Sequence, residues 1–526
     1  MIQGDPVAAH AASCPDKQAV VTIDRTGERV TTLAALDVRA NRLANLLAAW
    51  GVGEGERVAV MLPNGAEWFE ANLAAARLRA RLVPVNWHLT QGEIRWMLAD
   101  ADARVLVSHR AFAATAGDAL DAAPRCAALW VEDGYEEAIA GAPPDPPASA
   151  GAPAPGLVLY TSGTTGRPKG VVHEQTTTTR TRSDHVALWG FTVDDVHLLA
   201  GPAYHGAPWS FAVTHLALGA TVVALTRWDA ARFVDAVDRH RATNTFVVPT
   251  HFARLLELAD ASPRRPAMRD RLSSLRLVLH GAAACPVALK QRILDVLGDV
   301  DVCELYGFSE AGRVTRINSE EWRAHPGSCG RPIDGVQVLI LDDQGEEVPV
   351  GETGTIWVVP AGGPFHYRGN DEATAAVTRT TRLGLAVTGG DLGRLDADGY
   401  LYVTDRSVDL VVRGGVNVYP REVEDALLEH PAIADCAVLG IPDDVYGERI
   451  LALVETTGGG RVDAHGLDAH CRAHLASFKC PEHYRFVAAL PRDPNGKVRK
   501  GQLREWLRSG GTRPGGGGFD LAEPHS

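Results

Sequence analysis

The chain has 526 residues, of which 45% are hydrophobic and 22% are charged, and its formal net charge is −13. The length predicts two or more domains with large cores, and the composition is that of an ordinary globular protein. The negative charge argues against a general binder of nucleic acids or anionic membranes, so a few local cations must hold any anionic ligand.

The start of the chain and its cysteines indicate the compartment. Met1-Ile-Gln-Gly-Asp-Pro6 lacks the basic start and apolar core of a signal peptide, and no run approaches the roughly 18 apolar residues of a membrane span. The eight cysteines are scattered without a C-x-x-C spacing, which favours reduced, mostly buried thiols over disulfides or zinc. We therefore expect a cytoplasmic protein that is not integral to a membrane.

The first third of the chain alternates between helical and strand patterns. Apolar residues at helical spacing predict helices, and short apolar runs predict strands. In chain order these are helix 33–50, strand 57–62, helix 64–80, strand 82–86, helix 93–101 and strand 104–108. The alternation is typical of βαβ units and predicts a parallel sheet with helical cover.

A Pro/Ala/Gly-rich stretch, residues 142–156, leads into a second α/β region. Its predicted elements are strands 221–225, 244–248 and 275–279 and helices 249–258 and 287–297. Short strands separated by Asp/Gly turns then follow at 336–341, 355–359 and 400–403. This change of pattern predicts an antiparallel subdomain.

Beyond Asp405 the alternation starts again. The predicted elements are helix 420–430, strands 436–439 and 450–455, and helices 467–476 and 501–508. The predicted fold class is therefore α/β, with a large N-terminal domain of parallel-rich sheets, helical layers and an antiparallel subdomain, and a small mobile C-terminal α+β domain. The glycine-rich tail 509–526 is predicted to be disordered.

The stretch Tyr160-Thr-Ser-Gly-Thr-Thr-Gly-Arg-Pro-Lys-Gly170 follows an apolar run and has the composition of a phosphate-binding loop. Its glycines let backbone N–H groups approach an anion, its hydroxyls donate hydrogen bonds, and Lys169 supplies a point charge. A Walker A loop is excluded because that pattern needs Gly-Lys-Ser/Thr where the chain has Pro168-Lys-Gly170. The local chemistry favours phosphate contact over a solvated turn.

Three further stretches carry residues with useful chemistry. Each is weak alone, since Asp/Gly clusters usually form turns, but their order and spacing together are specific. They are Glu304-Leu-Tyr-Gly-Phe-Ser-Glu310; Thr388-Gly-Gly-Asp-Leu-Gly393, continuing through Asp398–Arg406 to Arg413-Gly-Gly-Val-Asn-Val-Tyr-Pro420; and Leu490-Pro-Arg-Asp-Pro-Asn-Gly-Lys497.

With these motifs the chain resembles the acyl-adenylate-forming superfamily, particularly the acyl-CoA synthetases, from about residue 20 to residue 508. The resemblance implies that a carboxylate attacks the α-phosphate of ATP to give an acyl-adenylate and pyrophosphate. The thiol of coenzyme A then displaces AMP to give a thioester. The implied organisation is an adenylation domain at 1–404, a hinge at 405–409, a C-terminal lid domain at 410–508 and the tail.

The resemblance implies a set of phosphate contacts. The glycine-rich loop would close over the β- and γ-phosphates, and its mobility would let pyrophosphate leave. Its residues are Thr161, Ser162, Gly163, Thr164, Thr165 and Lys169. Ser309, where the family usually has threonine, would bond the α-phosphate. Glu310 would ligate magnesium, because a hard carboxylate suits a hard cation that bridges phosphate oxygens.

The nucleoside would be held by two other motifs. Tyr306, followed by Gly307, would stack on adenine, and the small residues of the segment Gly281, Ala282 and Ala283 would leave room for the ring. Asp391 would accept both ribose hydroxyls, and Arg406 would contact ribose or phosphate beside the hinge.

Two positions in these motifs depart from the family pattern. Two glycines, Gly389 and Gly390, precede Asp391 where the family usually has one. Val408 stands where the hinge usually carries a polar residue, which puts any specific hinge contact in doubt.

Lys497 is the predicted catalytic residue of the first half-reaction. Its ammonium would enter between the carboxylate and the α-phosphate, reducing their repulsion and stabilising the transition state. His205, in Pro202-Ala-Tyr-His-Gly206, would gate or orient the acid, and a purely structural histidine is an equal alternative. After Lys497 withdraws, Arg413, Gly414 and Gly415 would approach and frame a narrow channel for pantetheine.

Three functions compete at this point. The leading one is an acyl-CoA synthetase whose partners are a carboxylic acid, ATP with Mg²⁺, and coenzyme A; the second is a stand-alone adenylating enzyme that loads a carrier protein. The third is a non-catalytic nucleotide-binding descendant, which the presence of Lys497, Glu310 and Asp391 disfavours. The acid is expected to be apolar, either fatty or bulky and polycyclic. A homodimer is compatible with the sequence, and no nucleic-acid partner is expected.

Overall fold

The computed structural model describes residues 5–150, 156–161, 168–173, 177–260, 268–406, 409–413, 416–443, 445–457, 462–493 and 496–508. The predicted disordered tail 509–526 lies outside these ranges, as do Val408 and the loop residues 162–167. Side chains at 118, 177–182 and 406 are likewise outside the description.

The N-terminal 150 residues form a four-stranded sheet with helices and a hairpin that leaves it. The elements are α1 (Pro6–Ser13), β1 (Gln18–Ile23), β2 (Glu28–Thr32), α2 (Leu33–Ala49), β3 (Arg57–Met61), α3 (Ala66–Arg77), β4 (Arg81–Pro84), α4 (Gln91–Ala101), β5 (Val105–His109), α5 (Ala113–Asp121), β6 (Ala127–Val131) and α6 (Tyr135–Ala140). The sheet order is β4-β3-β5-β6 and every pair is parallel. The parallel sheet predicted for this region is confirmed.

Residues 156–332 carry the largest sheet. Their elements are β7 (Val158–Thr161), β8 (Lys169–His173), α7 (Thr177–Trp189), β9 (Val196–Leu199), α8 (Gly206–Ala217), β10 (Thr221–Leu225), α9 (Ala230–His240), β11 (Asn244–Val247), α10 (Pro249–Asp260), α11 (Met268–Arg271), β12 (Leu277–Gly281), α12 (Val287–Leu297), β13 (Asp301–Phe308), β14 (Gly312–Ile317), α13 (Ser319–Ala324) and β15 (Arg331–Pro332). Nine strands join in the order β15-β14-β13-β12-β11-β9-β10-β1-β2. The central strands β9, β11 and β12 are buried along almost their whole length, as expected for a parallel sheet with helices on both faces.

The hairpin β1–β2 belongs to this second sheet and not to the first. Val20 of β1 pairs with Val222 of β10 in parallel register, although the two residues are far apart in sequence. Residues 18–32 were not among the predicted strands. A non-local pairing of this kind depends on tertiary packing, which local patterns do not report.

The next region is antiparallel, as predicted. It comprises β16 (Gln337–Leu341), β17 (Gly354–Val359), β18 (Phe365–Tyr367), α14 (Asp371–Ala376), β19 (Thr378–Thr381), β20 (Gly384–Val387), β21 (Asp391–Leu395) and β22 (Leu401–Arg406). Six of these strands form one sheet. The seventh, β18, pairs instead with β8, so that β18-β8-β7 is a separate three-stranded sheet. Its residues pack into the core of the antiparallel subdomain and into that of the four-stranded sheet.

The C-terminal region is a small α+β unit. Its elements are β23 (Val411–Arg413), β24 (Val416–Val418), α15 (Pro420–Leu428), β25 (Ile433–Asp443), β26 (Gly447–Thr456), α16 (Ala464–His474), β27 (His483–Phe486) and α17 (Lys500–Arg508). The long β25–β26 pair forms the centre of its sheet, and α15, α16 and α17 pack on it through apolar cores. The predicted α/β fold class, with a larger N-terminal and a smaller C-terminal domain, is confirmed. Across the described ranges, no helix has the length and apolar character that a membrane crossing requires.

Strands β13 and β14 approach each other closely at Gly307, near the turn that joins them. A Cβ atom at this position would lie 2.1 Å from the carbonyl oxygen of Gly312, a backbone atom that cannot turn aside. We expect Gly307→Ala to destabilise the protein by about 1–3 kcal/mol and to lower its thermal midpoint by several degrees. Gly92→Ala is the control, because nothing lies within 4 Å of a Cβ there. Equal midpoints for the two variants would contradict this packing.

Five histidines of the N-terminal region are buried, and burial lowers the pKa of each. The pKa falls to about 4 for His197, to about 3 for His215 and His251, and well below its ordinary value for His185 and His280. In the unfolded chain a histidine takes up a proton as the pH falls below about 6.5. The neutral folded form is therefore fully favoured only above that pH, and stability is lost as the pH falls from 6.5 towards these lowered values.

We expect the thermal midpoint to fall between pH 7 and pH 5.5, with net proton uptake on unfolding at pH 5.5. His251 stacks on Trp228 with ring centroids 4.4 Å apart, so His251→Phe should keep the packing and reduce that uptake by about one proton. Calorimetry in two buffers of different ionisation enthalpy measures the uptake. An uptake that His251→Phe leaves unchanged would show that this ring is charged in the folded protein.

Candidate active site

The two ends of the glycine-rich loop are held together by a hairpin. Thr161 at the end of β7 pairs with Lys169 at the start of β8 in antiparallel register. Ser162, Gly163, Thr164 and Thr165 fall between them, outside the described residues. The Lys169 ammonium lies 5.1 Å from the ring centroid of Tyr367, on the neighbouring strand β18. The predicted cation is thus fixed at the exit of the loop.

Glu310 lies on the other side of the same tyrosine. Its side chain is buried, and its Oε1 accepts a 2.6 Å hydrogen bond from the Tyr367 hydroxyl. Burial and the adjacent carboxylate raise the pKa of Tyr367, so its hydroxyl remains a donor. The carbonyl oxygen of Ser309 accepts a 2.8 Å hydrogen bond from His173 Nε2 on β8. These contacts bring three predicted site residues into one region: Lys169 and Ser309, predicted to bind phosphate, and Glu310, predicted to bind the metal ion.

The side chains fit a magnesium ion that the substrate helps to hold. Among the described residues no group of three or more potential ligand side chains gathers. Protein sites for Mg²⁺ usually supply one or two carboxylates and leave the other positions to phosphates and water. The Tyr367 hydroxyl bonds Oε1 of Glu310. A carboxylate has two oxygens, so Glu310 alone meets that requirement.

The predicted nucleoside residues are in direct contact. The Tyr306 hydroxyl donates a 2.8 Å hydrogen bond to Asp391 Oδ2, although the two residues are 85 positions apart. Asp391 is buried and pairs with Arg406 across the β21–β22 ladder, of which only the Arg406 backbone is described. The ring predicted to stack on adenine and the carboxylate predicted to bind ribose therefore form one surface.

The structure explains why both residues before Asp391 are glycines. A Cβ at Gly389 would lie 3.1 Å from the Phe308 ring, and Gly390 has a φ of +77°, where glycine is favoured. The doubled glycine therefore turns the chain under Phe308. Asp391 keeps its position beside Tyr306.

The segment predicted to lie along adenine leaves β12 through a sharp turn. Gly281 ends that strand, and a Cβ there would approach the Leu305 carbonyl oxygen within 2.4 Å. Ala282 has a φ of +67°, a left-handed conformation that is uncommon for a residue with a side chain. Ala282 is exposed and Ala283 half-buried. The small residues thus permit both the close approach and the turn.

The loop that carries Lys497 reaches the N-terminal domain. Gly496 lies against Thr250 at the start of α10, where a Cβ would come within 2.3 Å of the threonine Oγ1. His205 immediately precedes α8. Burial, and next the charge of Lys497, lower the pKa of His205 to about 3. The Lys497 loop of the C-terminal domain thus contacts the N-terminal domain at Thr250, and the His205 ring is neutral.

Arg413 has a different environment. Its guanidinium pairs with Glu482, donates a 2.7 Å hydrogen bond to the Phe478 carbonyl oxygen and lies 5.3 Å from the Tyr446 ring centroid. All these partners belong to the C-terminal domain. Gly414 and Gly415 lie outside the described residues. In this arrangement Arg413 contacts its own domain, whereas the Lys497 loop contacts Thr250 of the N-terminal domain.

Several contacts of the site were not predicted from the sequence. Tyr367, His173 and Thr250 belong to no motif, and each is connected to the site only through the fold. Tyr367 lies in the short strand Phe365-His-Tyr367, whose aromatic residues alone suggest a core strand. No local signal distinguishes them from structural residues.

The architecture is that of adenylate-forming enzymes. It consists of two α/β regions, an antiparallel subdomain and a small C-terminal domain that carries the Lys497 loop. The chain belongs to the AMP-binding enzyme family. The family's main model matches residues 7–365, and the model of the AMP-binding enzyme C-terminal domain matches residues 422–497. The resemblance inferred from the motifs is thereby confirmed, and the protein is an ATP-dependent, AMP-forming acid–thiol ligase of that family.

Similar proteins cover almost the whole chain. A feruloyl-CoA synthase of Amycolatopsis is 36% identical over 489 residues, which are 92% of this chain and 95% of that protein. The fatty acid–[acyl-carrier-protein] ligase ScoC of Streptomyces coeruleorubidus is 31% identical over 507 residues, covering 94% of each. The crystal structure of ATP-bound MatB from Rhodopseudomonas palustris has a TM-score of 0.85 and 29% identity, covering 96% of this chain and 99% of that one.

The hydrogen bond from Tyr306 to Asp391 gives a test of the nucleoside site. Tyr306→Phe keeps the ring but removes the contact that orients it, so we expect ATP to bind about 3- to 10-fold more weakly, as measured by calorimetry. Tyr402→Phe is a matched control, because Tyr402 also donates a hydrogen bond to an aspartate, at 3.3 Å to Asp396, in the antiparallel subdomain that contains Asp391. Equal ATP affinity in wild type and Tyr306→Phe would contradict the assignment.

Proposed function

We propose that the protein is an acyl-CoA synthetase that joins a carboxylic acid to coenzyme A through an acyl-adenylate. The observation that carries the proposal is the contact of the Lys497 loop with Thr250 of the N-terminal domain. We place the ammonium of Lys497 beside the nucleotide, which Tyr306, Asp391 and Glu310 of the N-terminal domain would hold. Two anions, a carboxylate and a phosphate, must meet there.

In the first half-reaction each of these residues binds a different part of the substrates. Tyr306 and Asp391 bind the nucleoside, and Lys169 with Ser309 binds the phosphates. Glu310 would hold Mg²⁺, which supplies charge neutralisation on the phosphate oxygens when bound. Lys497 lies between the acid and the α-phosphate, reduces their repulsion, and stabilises the negative charge that increases in the transition state.

His205 orients the acid and does not act as its base. Its pKa of about 3 leaves the ring neutral at physiological pH, and the substrate carboxylate is already ionised there. A neutral imidazole has one N–H donor, which can direct a carboxylate oxygen without adding a second cation next to Lys497. This role agrees with the position of the ring at the start of α8.

The second half-reaction needs a different position of the C-terminal domain. Arg413, with Gly414 and Gly415, is the predicted wall of the pantetheine channel, and its present partners all lie within its own domain. We place the hinge at 405–409, between an adenylation domain at 1–404 and a lid domain at 410–508. Asp405 Oδ2 accepts a 2.9 Å hydrogen bond from the Arg421 backbone N–H at the start of α15, which ties this hinge residue to the lid.

The proposal also covers the kind of acid that is activated and the thiol that accepts the acyl group. We favour an apolar acid, fatty or bulky, because apolar side chains including Trp189, Phe211 and Leu305 pack together next to α8. A carrier protein is the alternative acceptor, and the similarity to the ligase ScoC keeps that alternative in place. A cytoplasmic location and a homodimer remain predictions.

Replacement of Lys497 tests the first half-reaction. We expect Lys497→Ala to abolish acid-dependent pyrophosphate release while transfer from preformed adenylate to coenzyme A continues, because the ammonium serves only adenylate formation. Lys479→Ala is the matched control, since Lys479 is a lysine of the same domain that pairs with Glu422. Adenylate formation by Lys497→Ala at the wild-type rate would refute the assignment.

The substrate experiment uses the wild-type enzyme with a panel of carboxylic acids. ATP and Mg²⁺ are supplied with either coenzyme A or a phosphopantetheinylated carrier protein, and thioester formation is measured for each. Thioester with coenzyme A is the expected result. Thioester with the carrier protein alone would establish the alternative acceptor, and a lack of pyrophosphate release with every acid would refute the proposed function.

A further inference from the structure

Arg313 is a buried cation that the proposed mechanism does not use. It lies on β14, three residues after Glu310, and only 20% of its side chain is exposed. Its Nη1 is buried and has no hydrogen-bond partner among the described residues. Its Nη2 lies 3.7 Å from Asp184 Oδ2, which is too long for a hydrogen bond, and its Cζ lies 5.2 Å from the Trp189 ring centroid.

The charge of Arg313 is only partly compensated. Burial lowers the pKa of this guanidinium to about 10, and the charge of Asp184 opposes that shift without cancelling it. The side chain is therefore still a cation at neutral pH. Burying a charged donor without a partner is unfavourable, so a group that accepts from Nη1 would stabilise this arrangement.

Arg313 lies on the face of the sheet where α7 and α8 pack. The next residue, Val314, belongs to the core of the antiparallel subdomain, and successive strand residues face opposite sides. Arg313 instead lies over Trp189, which packs with Phe211 in the core beside α8. Phe211 is six residues beyond His205, roughly 9 Å along the helix axis. Arg313 is therefore connected, through Trp189 and Phe211, to the helix that begins after His205. The proposed function puts the carboxylate of the acid at His205, so a group bound at Arg313 would belong to the other end of the acid.

A second polar group lies on the same side. His185 is fully buried, stacks on Phe211 with ring centroids 4.6 Å apart, and its Nδ1 is 2.9 Å from Thr214 Oγ1. That hydroxyl donates to the Ser210 carbonyl oxygen, so it accepts from His185 and leaves Nε2 as an acceptor. Nε2 has no hydrogen-bond partner within the described part of the chain. Both groups lie against the same ring: the His185 and Trp189 ring centroids are 5.1 Å apart, and Arg313 Cζ is 5.2 Å from the Trp189 centroid.

We propose that Arg313 is a specificity-determining residue that binds an oxygen atom on the distal part of the acid. The substrate class is then a largely apolar carboxylic acid with a second oxygen function: a carboxylate, keto or hydroxyl group. A guanidinium has donors only, so it requires an acceptor. A pure hydrocarbon tail would leave Nη1 unsatisfied, and sites with buried polar groups discriminate strongly against such analogues. This inference rests on the proposed function.

The test compares acids of matched chain length that end in a methyl, hydroxyl, keto or carboxylate group. Wild type should convert the best oxygenated acid with a higher kcat/KM than the hydrocarbon acid. In Arg313→Met that kcat/KM should fall about 10- to 100-fold, the range for losing a hydrogen bond to a charged group, while the hydrocarbon acid is converted as well or better. KM for ATP should not change. The preferred end group decides whether the bound oxygen is anionic or neutral.

Arg313→Lys keeps the charge but loses the planar fork, and it should retain part of the preference. This variant carries the same test if the methionine variant folds poorly. Equal losses for all acids, or an altered KM for ATP, would show that Arg313 only supports the fold and would overturn the inference. A wild-type preference for the hydrocarbon acid would also overturn it, while pyrophosphate release would still uphold the proposed function.

Discussion

Two hydrogen bonds from tyrosines to carboxylates hold the site together. Tyr306 of the large sheet donates to Asp391 of the antiparallel subdomain, and Tyr367 of the three-stranded sheet donates to Glu310 beyond β13. Both bonds involve the short segment from Tyr306 to Glu310, which lies where the three sheets meet. Hydrogen bonds to ionised groups are stronger than neutral ones, so they fix this segment against all three sheets at once. The relative positions of the residues predicted to contact adenine, ribose and the metal ion follow from these two bonds.

The sequence was most informative where one local signal decided the structure. Strand Thr221–Leu225 and helix Val287–Leu297 have the predicted bounds, because a short run that begins with three β-branched residues favours a strand and an amphipathic period favours a helix. The hairpin β1–β2 was missed, since its partner β10 lies about two hundred residues away. Pairing at that distance depends on the tertiary packing, which the local pattern of β1 and β2 does not report.

In the site, too, the residues that belong to motifs were identified from the sequence, and the residues that contact them were not. The motifs identified Tyr306, Asp391, Glu310 and Lys497, and the fold brings the first two into contact and the Lys497 loop to Thr250. The chemical roles assigned to them remain predictions. Arg313 had no motif at all. An arginine after a turn is ordinary in a sequence, and only its burial beside Trp189 distinguishes it from a solvated surface charge.

The turn that carries Lys497 is built into its own domain. The Lys497 N–H donates to Asp493 Oδ1, the Asp493 N–H donates to the Lys497 carbonyl oxygen, and Arg492 pairs with Asp435 on β25. The backbone of Lys497 is therefore anchored in its own domain, and any reorientation of that domain carries the lysine with it as part of one rigid unit.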